Sequence, residues 1–316
     1  MNDIKEIVKY NIPPIAEETS DKDYLFSSLL PNMKKFDRKE KILTEMTSIS
    51  DQGQLPSCTS NATCDGFEYV LSDRIDLSRL FVYWNSRIDK LRATGTTIRS
   101  ALDSIRVHGV PPEDVWPYNS EKVNINPDEN AWSVAKQRKR TTYYRVKTCQ
   151  EIIAAIDAGW PIIFSIRLDK IFVNNWPDPD HVFTGESETD LSHAMLIIGY
   201  RKTEAGYQFR VRNSWGPNWC DRGYCWFTDG YIEKLQDAWA VTNYEPKEAL
   251  FSRRNVAFAV YSFIIVSITT FCLSARDSIT MTQLVSTLVT LAGLQTFAVW
   301  SRLRINITIN DKLKLF

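Results

Sequence analysis

The chain has 316 residues, with 38 basic and 38 acidic side chains and a formal net charge of zero. That length holds one or two domains with a full core. The balanced charge excludes nucleic-acid binding driven by bulk electrostatics, so no nucleic-acid partner is expected.

Residues 1–29 are polar and mixed in charge, with a turn-forming Pro13-Pro14 pair. They read as a surface arm or a short pro-segment. The first ten residues lack the continuous apolar core of a secretory signal, so none is expected there. Residues 30–245 read as one unit. Ala62, Phe67, Val70 and Leu71 recur at helical spacing after Cys58. Leu77–Leu91 predicts a second helix and Thr97–His108 a third. From Tyr143 onward the apolar runs shorten and β-branched residues increase. Strands are predicted at Ile162–Ile166, Ala194–Tyr200, Tyr207–Val211 and Tyr224–Phe227, with a helix at Glu151–Ala158. The fold class is therefore α+β: a helical lobe followed by an antiparallel, barrel-like β lobe.

The end of the chain differs in kind. A basic juxtamembrane linker, 246–254, precedes Asn255–Ser274, which carries no charge; Ser278–Trp300 carries none either. Each stretch has about the 20 residues that cross a hydrocarbon core. The gap Ala275-Arg276-Asp277 admits only a tight turn, so 255–300 is expected to form two transmembrane helices in a hairpin, with 301–316 as a tail. Arg253 and Arg254 precede the hairpin, and Arg302 and Arg304 follow it. The positive-inside rule then puts both flanks and the unit at 30–245 on the cytosolic side. In this expectation the protein is integral to a membrane, and the bilayer is a partner through residues 255–300. The sequon Asn306-Ile307-Thr308 would stay unmodified in that topology, and Asn61-Ala62-Thr63 lies on the first helix.

Three short stretches carry chemistry. The first is Asp51-Gln52-Gly53-Gln54-Leu55-Pro56-Ser57-Cys58-Thr59. The second is Leu191-Ser192-His193-Ala194-Met195, which opens an apolar strand. The third is Asn213-Ser214-Trp215-Gly216. A soft nucleophile, a titrating base and an uncharged amide are the parts of a thiol acyl-transfer site. The chain has only three His; His108 lies in a turn-like stretch and His181 in a polar one, leaving His193 as the base. Cys58 and His193 are 135 residues apart, and His193 and Asn213 are 20 apart. Taken singly, a Cys is more often a small buried apolar residue, a His a satisfied core residue and an Asn a turn former. It is their joint order and spacing that outweigh those readings.

Together the three stretches resemble the papain family of cysteine peptidases, over about residues 30–245. Thr59 after the nucleophile is similar to the branch found in bacteria and large viruses. If the source is viral, the membrane would be a host cytoplasmic or a virion membrane. The resemblance implies a two-lobed fold with the site between the lobes. It implies Cys58 as nucleophile, His193 as base, Asn213 as the residue orienting the imidazole, and Trp215 covering that bond. Gln52 would offer its amide N–H to the developing oxyanion, and Gly95 with Thr96 would bind extended substrate backbone. The same Thr94–Ile98 stretch also reads as the turn before a helix, with Thr96 or Thr97 as N-cap. Leu55 stands where most relatives carry a disulfide Cys, so the loop bearing Gln52 lacks that brace, and a reducing compartment is expected. Cys220 and Cys225 are read as free thiols rather than a disulfide or a metal pair; no His lies near them for zinc. Residues Leu235–Trp239 are expected to help shape a substrate pocket.

The expected function is a membrane-anchored cysteine endopeptidase acting on a protein or peptide substrate, with no cofactor and no metal. Two rivals remain: an inactive peptide-binding scaffold of the same fold at a membrane, and a thiol acyltransferase that passes the acyl group to an amine.

Overall fold

A computed structural model describes residues 20, 23–30, 38–71, 73–139, 142–174 and 178–242. The expected hairpin at 255–300 and the linker at 246–254 lie outside the described residues. Among the described residues no helix is long and apolar enough to cross a membrane.

In chain order the elements are β1 (Glu40–Ile42), α1 (Cys58–Val70), α2 (Arg79–Ser86), α3 (Ile98–His108), α4 (Glu129–Ala135) and β2 (Tyr143–Arg145). Then come α5 (Cys149–Asp157), β3 (Ile162–Asp169), α6 (Lys170–Asn174), β4 (Val182–Phe183) and β5 (Glu188–Thr203). The last are β6 (Gly206–Arg212), β7 (Tyr224–Thr228), α7 (Asp229–Ile232) and β8 (Asp237–Val241). Helices dominate the first half and strands the second, as the change in apolar pattern requires.

One sheet runs in the order β2-β8-β3-β5-β6-β7-β4, with β1 added on β5. Its pairs are antiparallel except β4 on β7, which is parallel. The path is open among the described residues, since its end strands β2 and β4 are not paired with each other. β5 is the long element. It pairs with β3, β6 and β1, and its register with β6 shifts between Ile197 and Gly199. Gly199 permits this: a Cβ there would lie 2.7 Å from the Lys41 carbonyl oxygen, so only glycine lets β1 approach.

α1 is buried on nearly every side, from Cys58 to Glu68. It packs against β5 at Gly66, where a Cβ would meet Val241 at 3.0 Å and Leu196 at 3.2 Å. The main core joins α1, α3 and α5 to the sheet. A second, smaller cluster of Leu55, Leu80, Phe81, Tyr83, Trp116, Ala131 and Ala135 lies within the helical half.

Two expectations change in detail. The second helix spans Arg79–Ser86 rather than Leu77–Leu91. Ser78 caps its start through the Phe81 N–H, and Arg87 turns extended (φ −75°, ψ 142°). Ile88 and Leu91, apolar residues that prolonged the helical pattern, are exposed. At the N-terminus, packing begins before residue 30. Phe26 is fully buried, edge-on to Trp160 at 6.0 Å. Asp23 binds Arg99 of α3 and, at 3.0 Å, Arg145 of β2, so one carboxylate ties the helical half to the sheet.

Candidate active site

Cys58 is the first residue of α1, a position that exposes its sulfur to unpaired N–H groups of the first turn. Ser57 is the N-cap but makes no capping bond, because its hydroxyl is engaged elsewhere. The backbone N–H groups of Cys58, Thr59 and Ala194 bear on the sulfur and favour its anion. Ala194 follows His193 on β5, so the thiol lies against the strand that carries the imidazole.

His193 sits in the middle of β5, paired with Ile166 of β3, and is only 1% exposed. Its Nε2 lies 2.8 Å from Asn213 Oδ1. The same oxygen accepts the Ser214 N–H at 2.8 Å, which sets the amide with its oxygen toward the ring. The carboxamide oxygen can only accept, so Nε2 carries the proton and Nδ1 is left as the basic nitrogen. That Nδ1 is buried without a hydrogen-bond partner among the described residues. Asn213 is itself held by its N–H to the Gly223 carbonyl at 2.9 Å. The Trp215 ring lies 4.9 Å from the imidazole, tilted by 35°, and is backed by Phe172 at 5.2 Å and Trp219 at 5.7 Å.

Gln52 is fully buried. Its Oε1 accepts the Ser214 hydroxyl at 2.7 Å, and its Nε2 donates to the Leu55 carbonyl at 2.9 Å. One N–H of that amide therefore remains for another acceptor. The loop is stitched to the Asn213 segment: Gln52 N–H donates to the Ser214 carbonyl at 2.9 Å, Gly216 N–H to the Ser50 carbonyl at 3.0 Å, and Asp51 bridges Trp215. Gly53, at φ +56°, makes the turn that follows.

Thr96 is buried, and its hydroxyl bonds that of Thr59, next to Cys58. Thr97, not Thr96, caps α3 in a reciprocal capping box with Ser100. The helix-start reading of the stretch thus falls on Thr97. The Gly95 backbone N–H and carbonyl make no backbone hydrogen bond among the described residues. Of Leu235–Trp239, residues 237–239 open β8, with Ala238 and Trp239 buried, while the Gln236 N–H donates to the Ser165 carbonyl at 2.9 Å.

Burial acts on both titrating groups. It pushes the Cys58 thiol up to about 11 against the pull of the three N–H groups, and the His193 imidazole down to about 4 against its bond to Asn213. Burial thus favours the neutral pair before substrate arrives. Cys58, Cys64, Cys149, Cys220 and Cys225 are all free thiols, and the described residues hold no cluster fit for a metal ion.

Residues 32–238 match the profile of the papain family cysteine protease. The chain belongs to the papain family of cysteine proteases. It is 29% identical over 211 residues to an uncharacterised peptidase C1-like protein of Acanthamoeba polyphaga mimivirus, covering 59% of this chain and 66% of that one. It is 27% identical over 197 residues to vignain of Vigna mungo, covering 57% and 50%. The chain thus spans between half and two thirds of the length of these relatives. Among solved structures it is similar to xylellain, a cysteine protease from Xylella fastidiosa. The TM-score is 0.65 and the identity 25%, with 75% of this chain and 97% of that chain covered. Bromelain of Ananas comosus, solved with the E64 inhibitor, shares the fold at a TM-score of 0.54 and 21% identity, over 65% of this chain and all of that one.

In this member of the papain family, the residues singled out in the sequence converge. Cys58 and Thr96 meet through Thr59, Gln52 meets the Asn213 segment through Ser214, and His193 meets Asn213 and Trp215 directly. Ser214, Ser57, Arg79, Glu113 and Tyr118 were not singled out. Ser214 and Ser57 could have been, since they lie inside the Asn213–Gly216 and Asp51–Thr59 stretches. The others come from segments whose meeting no local pattern announces.

Proposed function

We propose that the protein is a cysteine endopeptidase that hydrolyses peptide bonds through Cys58. The observation that carries this reading is the state of His193: Nε2 is tied to Asn213, and Nδ1 is buried and unpartnered beside the strand position that touches the thiol. In the reaction Nδ1 takes the Cys58 proton as sulfur attacks the substrate carbonyl. The tetrahedral oxyanion accepts from the Cys58 N–H and the remaining Gln52 N–H. Collapse expels the amine, which takes the proton from the imidazolium. Water, activated by the same nitrogen, then cleaves the thioester. Asn213 keeps the ring in one tautomer, and Trp215 keeps water off that bond. Gly95 pairs with the substrate backbone as an added β-strand would, beside Thr96. No cofactor takes part.

The full-length protein, under reducing conditions, is treated with an E64-type epoxide and the adduct is located by peptide mass. The expected result is a single adduct at Cys58, lost in Cys58→Ala and in His193→Ala, together with cleavage of a peptide library. Labelling without cleavage would favour the peptide-binding scaffold. A product carrying an added amine in place of water would favour the acyltransferase. No labelling of folded protein would refute the reading.

We also propose that residues 255–300 anchor the protein in a membrane as a hairpin, with the catalytic unit on the cytosolic side. Two uncharged stretches joined by three residues, with arginines on both flanks, support this. The expected result is that the protein stays with membranes through alkaline carbonate washing, and that protease added to sealed vesicles reaches the catalytic unit only from the cytosolic face. Release by carbonate would refute it.

A further inference from the structure

The loop that carries Gln52 has no disulfide brace, yet it is held from behind. Tyr118 lies on the loop after α3, and its hydroxyl donates to the Gln52 backbone carbonyl at 2.9 Å. The same oxygen is 2.6 Å from Ser57 Oγ, on the residue before the nucleophile. Since the phenol proton goes to the carbonyl, the Ser57 hydroxyl donates to Tyr118. Ser57 Oγ in turn accepts from Asn61 Nδ2 at 3.0 Å. A directed chain thus runs Asn61, Ser57, Tyr118, Gln52, from the first turn of α1 to the loop.

The tyrosine is fixed on its other sides. Its N–H donates to Glu113 Oε1 at 2.7 Å. That carboxylate pairs with Arg79 at 3.2 Å, and the Arg79 guanidinium lies 4.4 Å from the centre of the Tyr118 ring. Arg79 also donates to the Asn61 side-chain oxygen at 3.1 Å and to the Asp51 carbonyl at 3.3 Å. Burial pushes the Tyr118 phenol up to about 12, so it remains an O–H donor throughout the working pH range. Five short segments spread between residues 51 and 118 (51–52, 57–61, 79, 113 and 118) are locked at one point. That point grips the main chain of Gln52, not its side-chain amide.

We propose that Tyr118 is a positioning residue for acyl transfer: its hydroxyl holds the Gln52 loop at the register where the Gln52 N–H meets the oxyanion. The inference rests on the peptidase reading above. Such a bond matters only when negative charge develops on the carbonyl oxygen, because the ground-state amide needs little from that donor. Alkylation of a thiolate by iodoacetamide builds no oxyanion, so it reports the Cys58–His193 pair without the loop.

The test uses full-length wild type, Tyr118→Phe, Gln52→Ala and the double variant. Peptide hydrolysis, the rate of Cys58 alkylation and the melting temperature are measured for each. Deleting an oxyanion donor costs roughly 10²–10³-fold in kcat, so displacing one is expected to cost about tenfold. Tyr118→Phe should lower kcat by about that factor while KM and the alkylation rate stay within about twofold. In the Gln52→Ala background the same change should cost less than about twofold, because the donor it positions is gone. Ser57→Ala, which removes the link that donates to Tyr118, should give the same pattern and replaces Tyr118→Phe should that variant not fold. An unchanged kcat would overturn the inference. So would a loss that alkylation shares, or one that persists in full without Gln52. A wild type that alkylates at Cys58 but hydrolyses no peptide would instead sink the peptidase reading, and this inference with it.

Discussion

Arg212 is the last residue of β6, directly before Asn213, and its side chain is a fully buried charge. It is 0% exposed and faces Asp65 of α1, which is 3% exposed. The contact is bidentate, with Nε to Asp65 Oδ2 at 2.8 Å and Nη2 to Oδ1 at 3.2 Å. The remaining donors reach the carbonyls of Thr47 at 2.7 Å and Ser48 at 2.5 Å, on the stretch that leads into Gln52. Arg212→Met keeps the length and the apolar stem but strands a buried carboxylate. Burial and Asp65 already push the neighbouring Glu68 carboxyl up to about 8, and Arg212 is the cation that opposes this. Removing one member of a buried pair costs about 3–5 kcal/mol. Against a typical stability of roughly 5–15 kcal/mol that is a large fraction. Urea unfolding of wild type and Arg212→Met should therefore differ by about 3–5 kcal/mol. Asp65→Asn in the Arg212→Met background removes the stranded charge and should recover at least about 1 kcal/mol. A loss under about 1 kcal/mol, or a double variant no more stable than Arg212→Met, would refute the argument that an uncompensated charge sets the cost.

Three further outcomes are expected. Because burial depresses His193 to about 4, its Nδ1 stays free as base to well below the ordinary imidazole range. The acid limb of kcat/KM should then fall near pH 4, and a limb at the unperturbed value of about 6.5 would contradict this. Asn213→Ala frees the ring to turn and to change tautomer, so kcat should drop by about 10²-fold or more with an unchanged melting temperature; a loss confined to KM would count against the orienting role. Asp23 is held well below the usual carboxylate range by its bond to Arg99, with Arg145 adding to it. Its folded value is depressed, so its stabilisation is present above about pH 4 and is lost as pH falls further. Asp23→Asn should lower stability by roughly 2 kcal/mol at pH 7 and should flatten the acid side of the stability–pH curve. An unchanged curve would show that the tie between the two halves carries no energy.

The chemistry was more legible than the packing that serves it. Cys58, His193, Asn213 and Gln52 could be proposed because acyl transfer through a thiol admits few residue types, and their order along the chain is constrained. The central helix and the apolar strands followed from periodicity. The predicted second helix runs too long because Ile88 and Leu91 continue its apolar spacing, although the chain has already turned extended at Arg87. The strand at Asp237–Val241 goes unpredicted because both its faces are buried, so it has no polar–apolar alternation to betray it. The stretch before residue 30 was read as an arm because its composition is polar. One buried phenylalanine and one bridged carboxylate, Phe26 and Asp23, dock residues 23–29, and a residue count cannot see either. A truncation that removes residues 1–29 would therefore take Phe26 out of the core as well as any blocking segment, at a cost of about 1.5–3 kcal/mol for the lost burial alone. The brace around Tyr118 was illegible for a different reason: each of its residues satisfies an ordinary polar role by itself, and only their meeting makes a device.

The first turn of α1 begins at a serine that could cap it and does not. A capping serine is worth about 1 kcal/mol to a helix, and here that increment is forgone. Of the amide hydrogens in that turn, those of Cys58 and Thr59 bear on the sulfur. The resting protein is thus slightly less comfortable than its sequence allows, and relief comes only when negative charge arrives at the helix start. A covalent adduct that leaves an oxygen anion there should complete the turn and raise the melting temperature. An alkyl group on the same sulfur, lacking that charge, should do so less. On this view the intermediate is the better-folded molecule, and the free enzyme is held in a state of readiness by what its leading helix lacks.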